Sequence, residues 1–277
     1  DPMMLKFASS GAHVLGKTLV SAETFTWLTE HFKTSWAQCK PEVEQLFLSG
    51  INHVFYHGTT YSPADQQWPG WLFYASVNFV PTNSLWSHLD GLNAYVTRTQ
   101  SILQSTANDN EVLLYWPAQD IWNDDKGTLK SLTIHNIDKW LHPSDFYKEA
   151  VHLQTSGYSF DFVSDELLKG MNADGDQWKL KNSNTDLSYK VLIIPKVEYM
   201  PVETLEKIIE IAEQGGKVIF HQLPADVPGF KDLDKRRLIF NKILGPLKNK
   251  RRIVIGKGEI VIGNDIVNSL SEMNIRG

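Results

Sequence analysis

Short apolar runs rich in β-branched residues alternate with helical patterns along this 277-residue chain. Runs typical of buried strands occupy residues 111–116, 189–194 and 217–220, and a helical pattern that begins at Pro201 separates the last two. Strands separated by helices are typical of a parallel sheet that is covered on both faces. The alternation therefore predicts an α/β protein. The same patterns predict a helix at 144–155, a strand at 160–163, a hairpin over 253–262 and a helix from Asp265.

Charge and aromatic content divide the chain near residue 105. Residues 1–105 hold 5 of the 27 Lys and Arg but 16 of the 31 aromatic residues. This shift predicts two domains, at 1–105 and 106–277. Aromatic faces with few lysines are common in concave ligand sites, and also in well-packed cores. Both interpretations of the first part remain open at this point.

The composition excludes several classes of protein. A net charge of −5 without a long Lys/Arg stripe, the short cluster at 248–252 aside, argues against a nucleic-acid partner. No stretch approaches the about 18 apolar residues of a membrane helix, and the first 30 residues lack the pattern of a signal peptide. With Cys39 as the single cysteine, an internal disulfide is excluded. We therefore expect a soluble globular chain that binds neither nucleic acid nor membrane.

The first part should hold one βα repeat and the beginning of another. The patterns predict a strand at 18–22, a helix with Pro41 in its first turn, a strand at 51–56, a long loop at 59–83 and a helix that runs to about Gln104. A loop of this length inside a compact domain is usually functional.

Two ionisable residues, Glu23 and His57, follow the two predicted strands directly. In βα architectures the loops at the C-terminal ends of the strands converge on one face, and chemistry concentrates there. Glu23 lies near Phe25 and Trp27 in the sequence, and an apolar environment would favour its protonated form and suit it to acid or base catalysis. A structural alternative is a strand-end carboxylate that accepts backbone N–H groups or pairs with a lysine.

His57 and the long loop offer candidate ligand contacts. His57 could donate a hydrogen bond to a substrate hydroxyl or tune a nearby carboxylate, and a satisfied core histidine is an equal alternative. In the loop, Asp65 precedes Trp68 and Trp71, and hydrogen-bonding groups beside rings suit a sugar. Ordinary solvation of a loop explains the same residues.

The second part lacks catalytic motifs. It has neither G-x-G-x-x-G nor a P-loop, so a nucleotide site is disfavoured. The strand at 189–194 is followed by Pro195-Lys196 rather than by a nucleophile. No metal-binding histidine motif is present. We interpret this part as a support or assembly domain.

Several motifs together resemble those of glycoside hydrolase family 106, the α-L-rhamnosidases. They are the segments 16–26, 50–58 and 68–70, residue Trp86 and the segment 95–104. The resemblance implies the last βα units of a catalytic (β/α)8 barrel. It also implies that a Rossmann-like, amidotransferase-like domain follows, similar to the assembly domain of family 42 β-galactosidases.

The resemblance also carries functional expectations. It implies inverting hydrolysis of α-L-rhamnosides by a carboxylate pair, with Glu23 as the general base and the acid outside this chain. On this view His57 contacts the substrate or orients Glu23, and Trp27, Asp65, Trp68 and Trp71 are the further candidate contacts to the carbohydrate substrate. A calcium ion is compatible with the resemblance, although its ligands are not assigned. A homo-oligomer is also compatible, as is a parent enzyme that works in the periplasm or outside the cell. The isolated chain would be inactive.

Two alternatives stay open beside this reading. One is a non-catalytic module for sugar binding or oligomerisation, since the first part supplies a single well-placed carboxylate. The other is part of a family 42-like β-galactosidase, which would share the architecture and prefer galactose.

Overall fold

A computed structural model describes residues 1–123, 126–180 and 188–277 of the protein. The chain forms two compact units. Unit 1 comprises residues 1–12 and 17–107, and unit 2 comprises residues 13–16 and 108–277. Within the described ranges, no helix is both long enough and apolar enough to cross a bilayer.

Unit 1 contains two parallel strands, and long helices surround them. Its elements are α1 (Pro2–Val14, the last two residues belonging to unit 2), β1 (Ser21–Thr24), α2 (Trp36–Leu48), β2 (His53–Tyr56), a 3₁₀ turn (Trp86–His88) and α3 (Leu89–Ser105). The predicted long loop between β2 and α3 is confirmed as irregular from residue 57 to the 3₁₀ turn.

Helix α2 begins at Trp36, so the placement of Pro41 in its first turn was wrong. The backbone N–H of Ser35 donates to the Gln38 side chain at 2.9 Å, which is half of a capping box. Pro41 lies inside the helix and cannot donate to the carbonyl of Ala37, four residues back. Ala37 is exposed, so water can satisfy that carbonyl.

One face of the β1–β2 pair packs on the core of unit 1. Val54 and Tyr56 contact an apolar cluster that includes Cys39, Val43 and Phe79. Burial raises the pKa of the Cys39 thiol to about 11, which keeps it protonated and unreactive at neutral pH. The core accounts for part of the aromatic enrichment that the sequence shows in this half.

Unit 2 is an α/β layer structure. In chain order its elements are β3 (Val112–Tyr115), α4 (Ala118–Trp122), α5 (Ile137–Trp140), α6 (Asp145–Thr155), β4 (Phe160–Val163), α7 (Asp165–Lys169), β5 (Met171–Asp174), β6 (Gln177–Leu180), β7 (Val191–Ile194), α8 (Val202–Gln214), β8 (Lys217–Phe220), α9 (Leu233–Leu244), β9 (Arg252–Ile255), β10 (Gly258–Ile262) and α10 (Ile266–Glu272). Short 3₁₀ turns occupy Gly127–Leu129, Ile134–Asn136 and Gly245–Leu247.

The six-stranded sheet of unit 2 has the order β4-β3-β7-β8-β10-β9. All neighbouring strands are parallel except β9, which runs antiparallel to β10. The predicted α/β class with a mainly parallel sheet is confirmed, as is the predicted hairpin over 253–262. The predicted strands at 160–163 and 217–220 match β4 and β8 to the residue.

A second hairpin, formed by β5 and β6, was not predicted, and neither were α1 and α9. The hairpin turn lies very close to the end of α8, where Gly215 has a φ of 129°. A Cβ at residue 215 would lie 2.2 Å from the carbonyl oxygen of Gly175 in that turn. Glycine at 215 is therefore required both by the backbone angle and by the contact.

Candidate functional site

The candidate site in unit 1 is the exposed face of β1 and β2 at their C-terminal ends. Glu23 pairs in register with Phe55, and the His57 N–H donates to the Thr24 carbonyl at 2.8 Å, which extends the pairing beyond β2. Because alternate residues of a strand share a face, Ser21 lies on the same side as Glu23. Its hydroxyl lies 2.9 Å from Nδ1 of His53 on the neighbouring strand. A polar face thus adjoins the strand ends.

Glu23 is exposed, contrary to the expectation that aromatic residues would enclose it. Phe25, whose φ of 69° turns the chain after β1, directs its ring into the core and away from Glu23. There the Phe25 ring lies 5.4 Å from that of Phe79. The Glu23 carboxylate instead accepts a hydrogen bond from Thr26 Oγ1 at 3.0 Å on Oε2. This contact orients the carboxylate and leaves it open to water.

Trp27 is half-buried beside a shallow groove of about 490 Å³. Its ring meets the Phe25 ring edge-on at 5.3 Å, so the core fixes one side of it and the groove leaves the other accessible. The remaining walls of the groove come from the loop after β1 and the first turns of α2, namely Leu28, Thr29, Ala37, Gln38, Pro41 and Glu42.

The surroundings of His57 define the position of its proton. Nδ1 lies 3.1 Å from the carbonyl oxygen of Ala75, and a carbonyl can only accept, so Nδ1 carries the hydrogen. Nε2 of the neutral ring is then an acceptor, and it becomes a donor only when the ring is protonated. The Phe73 ring meets the imidazole edge-on at 4.9 Å and holds its plane. The predicted role as a donor therefore applies to the protonated ring alone.

Buried hydrogen bonds tie the loops after β1 and β2 together. Ser76 Oγ accepts from the Gly58 N–H at 2.7 Å and donates to the Gly58 carbonyl at 2.8 Å. Asn78 is fully buried, and its Nδ2 donates to Nδ1 of His31 at 2.9 Å. These contacts fix the backbone on which the strand-end side chains stand.

The other predicted contacts lie on the outer part of the long loop. Trp68 and Trp71 are 71% and 56% exposed, and Asp65 is also exposed. The loop is nevertheless ordered, because the Trp71 N–H donates to Ser62 Oγ at 2.8 Å and the Trp68 Nε1–H donates to the Thr82 carbonyl at 3.4 Å. The rings are thus presented to solvent by a hydrogen-bonded loop.

The structure brings some predicted residues together and separates others. Glu23 and His57 stand at adjacent strand ends, Trp27 lies in the loop after β1, and Asp65 and the two loop tryptophans belong to the loop after β2. Sequence reasoning missed two residues of the polar face, Ser21 and Thr26. The period-two alternation from residue 53 to 57 does predict that His53 lies on the same side of the strand as His57.

Unit 2 has ionisable groups near the C-terminal ends of its strands that the sequence did not single out. Asp120, after β3, accepts the N–H groups of Glu198 and Tyr199 at 2.7 Å each. Burial raises the pKa of Asp120, although the two N–H groups oppose the shift. These bonds connect the segment after β3 to the segment after β7.

Glu149, on α6, is a second buried carboxyl in this unit. It is only 8% exposed, and its Oε2 lies 3.5 Å from Nδ1 of His221, the residue that follows β8. Burial raises the pKa of Glu149, an effect that the charges of His221 and His152 partly offset. The position of His221 directly after a predicted strand was a signal that the sequence offered.

No metal site is built in the part of the chain that the structure describes, where no three His, Cys, Asp or Glu converge in a way that could hold an ion. The described residues therefore offer no cluster of three such side chains for a calcium ion.

Comparisons with known proteins place the chain in a family. A family model described as alpha-L-rhamnosidase, glycoside hydrolase family 106, matches residues 4–277. A protein of Formosa agariphila provisionally named beta-glucuronidase is 26% identical over 218 residues, which are 77% of this chain and 16% of that protein.

A solved rhamnosidase from Novosphingobium sp. PP1Y has a similar fold, with a TM-score of 0.71 at 18% identity. The match covers 99% of this chain and 24% of that one, so the chain spans a quarter or less of the length of these relatives. Since the family model covers nearly all of its residues, the chain belongs to glycoside hydrolase family 106, the alpha-L-rhamnosidases.

Proposed function

We propose that this chain supplies part of the sugar site of a glycosidase that hydrolyses α-L-rhamnosides with inversion, and that Glu23 is the general base. The carrying observation is the exposed carboxylate at the end of β1, held by Thr26 and adjacent to the strand end that bears His57. Membership of the rhamnosidase family supports the substrate class.

The proposal treats unit 1 as the last βα units of a (β/α)8 barrel. Among the described residues, β1 and β2 pair only with each other. One face of the pair packs under the helices, while the other exposes Phe55, which is 53% accessible. An apolar ring and a polar cluster on an open sheet face suit the interior of a barrel that further strands complete. On this proposal the polar face points into the barrel.

The proposal treats residues 106–277 as a Rossmann-like support or assembly domain. Support comes from the sheet order, in which β3 is flanked by β4 on one side and β7 on the other. The direction in which successive strands are added to the sheet reverses at β3, as it does in doubly wound sheets. The segment after β7 begins with Pro195-Lys196 and provides no nucleophile.

Inversion requires two carboxyl groups about 6.5 to 9.5 Å apart. The Glu23 carboxylate would take a proton from water as that water attacks the anomeric carbon. The bond to the leaving oxygen breaks in the same step, and an acid on the opposite face of the sugar protonates that oxygen. We assign this acid to parts of the longer enzyme beyond the present residues, consistent with the 24% of the Novosphingobium chain that is matched.

The other candidates would bind the sugar rather than react with it. His57 Nε2, an acceptor in the neutral ring, would take a hydrogen bond from a sugar hydroxyl. Trp27, Trp68 and Trp71 offer partly or largely exposed rings for the apolar C–H face of the sugar. Asp65 would accept hydroxyl hydrogen bonds at the loop.

The decisive experiment replaces Glu23 with Gln in the complete enzyme and measures hydrolysis of an aryl α-L-rhamnoside. Loss of a general base should lower kcat by a factor of about 100 to 10,000. Glu30→Gln is the matched control, because Glu30 is an exposed carboxylate nearby in the sequence that pairs with Lys33. Thermal unfolding should be unchanged in both variants.

Three outcomes would contradict parts of the proposal. Full activity of Glu23→Gln would remove Glu23 from catalysis. A first product with the α configuration, observed by NMR, would show retention instead of inversion. A preference for galactosides would favour the family 42-like alternative, and binding of rhamnose without turnover by the complete protein would favour the non-catalytic module.

A further inference from the structure

Positive charge is concentrated in one segment of unit 2. Residues 231–252 carry nine of the 27 Lys and Arg but only two of the 32 Asp and Glu, which gives the segment a charge of +7. The rest of the chain then carries −12, since the total is −5. A polyanion is repelled by most of this molecule and attracted to this segment.

The fold arranges these charges as a stripe along α9. Lys235 and Lys242 are seven residues apart, which places them on the same side of the helix, about 10.5 Å from each other along its axis. Both are exposed, as is Leu238 between them. Lys248 follows the helix, and its Nζ lies 3.4 Å from the Asn241 side chain, so it extends the stripe past the last turn.

The arginines of the segment are engaged within the fold. Arg237 forms hydrogen bonds with Asp226 at 2.9 and 3.0 Å, and Arg252 donates to Glu259 at 2.8 Å. Arg236 donates to backbone carbonyls in the loop before α9, which keeps the loop in place.

The exposed lysines of the segment differ from these arginines in their partners. Within the described ranges, no carboxylate lies at ion-pair distance from the ammonium groups of five exposed lysines, which we name the basic surface. They are Lys231, Lys235, Lys242, Lys248 and Lys250.

We propose that the basic surface binds an anionic polysaccharide through its carboxylate or sulfate groups. The choice of a saccharide as the anion carrier rests on the proposed glycosidase function, whereas the choice of an anion rests on charge alone. Phe230, 93% exposed and adjacent to Lys231, adds a ring on which a sugar can stack. Individual exposed ion pairs are weak, so the surface acts through several lysines at once.

The test measures binding of this chain to polygalacturonate and to dextran sulfate by calorimetry, with neutral dextran as the reference. The triple variant Lys235→Gln, Lys242→Gln, Lys248→Gln should bind either anionic polymer about tenfold more weakly, because each exposed pair contributes a factor of about two to three. Raising the salt concentration should weaken the wild type toward the variant. The two polymers distinguish carboxylate from sulfate as the preferred group.

A matched control changes the same net charge elsewhere, in the triple variant Lys17→Gln, Lys33→Gln, Lys148→Gln. All three of these lysines are exposed and lie outside the segment. Its affinity should stay within about twofold of wild type, because it leaves the basic surface intact. Equal losses in both triple variants would show that net charge alone matters and would overturn the proposal.

Other results would also overturn it. Absence of binding to both anionic polymers, or binding that the first triple variant does not weaken, removes the basic surface as a site. Equal or tighter binding of duplex DNA or of phosphatidylserine vesicles removes the saccharide as its partner. None of these measurements requires turnover, so a failure of the Glu23 assignment leaves this test unaffected.

Discussion

The sheets of the two units differ in how much of their surface the chain covers. Every residue of β3, β4 and β7 in unit 2 is buried. In unit 1, β1 has a single buried residue and β2 has none. A strand that is buried on both faces is committed to packing, whereas a strand with one open face keeps its side chains reachable. The candidate residues Glu23 and His57 lie at the open face of unit 1, which on the proposal above is the face that further strands of the barrel enclose.

Side-chain hydrogen bonds hold loops in both units. In unit 1, buried amides connect distant segments: Asn52 accepts from the Val20 N–H at 2.9 Å and donates to the Thr18 carbonyl at 2.8 Å. Asn78 plays the same part in the long loop. Unit 2 combines apolar layers between its sheet and helices with the hydrogen bonds of Asp120 that connect the segments after β3 and β7. Directional bonds position groups accurately, and apolar layers provide more stability.

The largest expected effect on stability comes from creating a cavity in the middle of the sheet of unit 2. Ile193 on β7 is fully buried, and Ile193→Ala should lower the free energy of unfolding by about 2 to 5 kcal/mol. Phe55→Ala, on the open face of β2, should change it by less than about 0.5 kcal/mol, as exposed substitutions do. Urea unfolding of both variants measures the contrast. Similar costs at the two positions would remove the distinction between the covered and the open sheet.

An effect of intermediate size on stability is expected from Asn78, the buried amide of the long loop. Asn78→Ala removes the hydrogen bond to His31 and leaves buried partners unsatisfied, so it should cost about 1 to 3 kcal/mol. The φ of 53° at this position adds strain for alanine. Hydrogen exchange should accelerate in residues 73–83, with Ser84→Ala, at an exposed site, as the control. Unchanged exchange would mean that the loop does not depend on directional bonds.

The smallest expected effect is the pH dependence of stability that arises from the buried Glu149 of unit 2. Burial raises the pKa of Glu149 above its ordinary 4.5, so the folded state favours the protonated carboxyl. The associated stability is present below pH 4.5 and is lost as the pH rises through the raised pKa. Glu149→Gln keeps the shape without a charge and should therefore raise the Tm relative to wild type at pH 7 but not at pH 4.

Thermal scans at the two pH values test this prediction, and Glu206→Gln serves as the control because Glu206 is an exposed carboxylate on α8 of the same unit. A stabilisation of equal size at both pH values would exclude the buried charge as its cause.

Much of unit 2 could be predicted because its strands are continuous apolar runs with clear ends, as at β4 and β8. Helix α1 was missed because polar residues occupy its buried side. Ser9 and Ser10 are both buried, and Ser9 Oγ donates to the Ser49 carbonyl at 2.6 Å. Such contacts hide the apolar periodicity on which helix prediction depends.

The candidate site could be predicted in position but not in environment. The prediction brought Glu23 and His57 to adjacent strand ends, but Glu23 lies inside β1, because this strand occupies Ser21–Thr24 and not the predicted 18–22. The direction of the Phe25 ring, away from Glu23, depends on a left-handed backbone angle and on packing 5.4 Å from the ring of Phe79, which no local preference of phenylalanine suggests. The proton position on His57 depends on Ala75, 18 residues away in the chain. Contacts between distant segments determine both properties.

The close approach of Gly175 to Gly215 has an evolutionary consequence. A relative that keeps the β5–β6 hairpin in this position has to keep glycine at 215, since any side chain would collide with the turn. Loss of that glycine in a lineage should accompany shortening, deletion or displacement of the hairpin. The two positions should therefore change together when family members diverge, and a substitution at 215 marks lineages in which this part of the fold has been rebuilt.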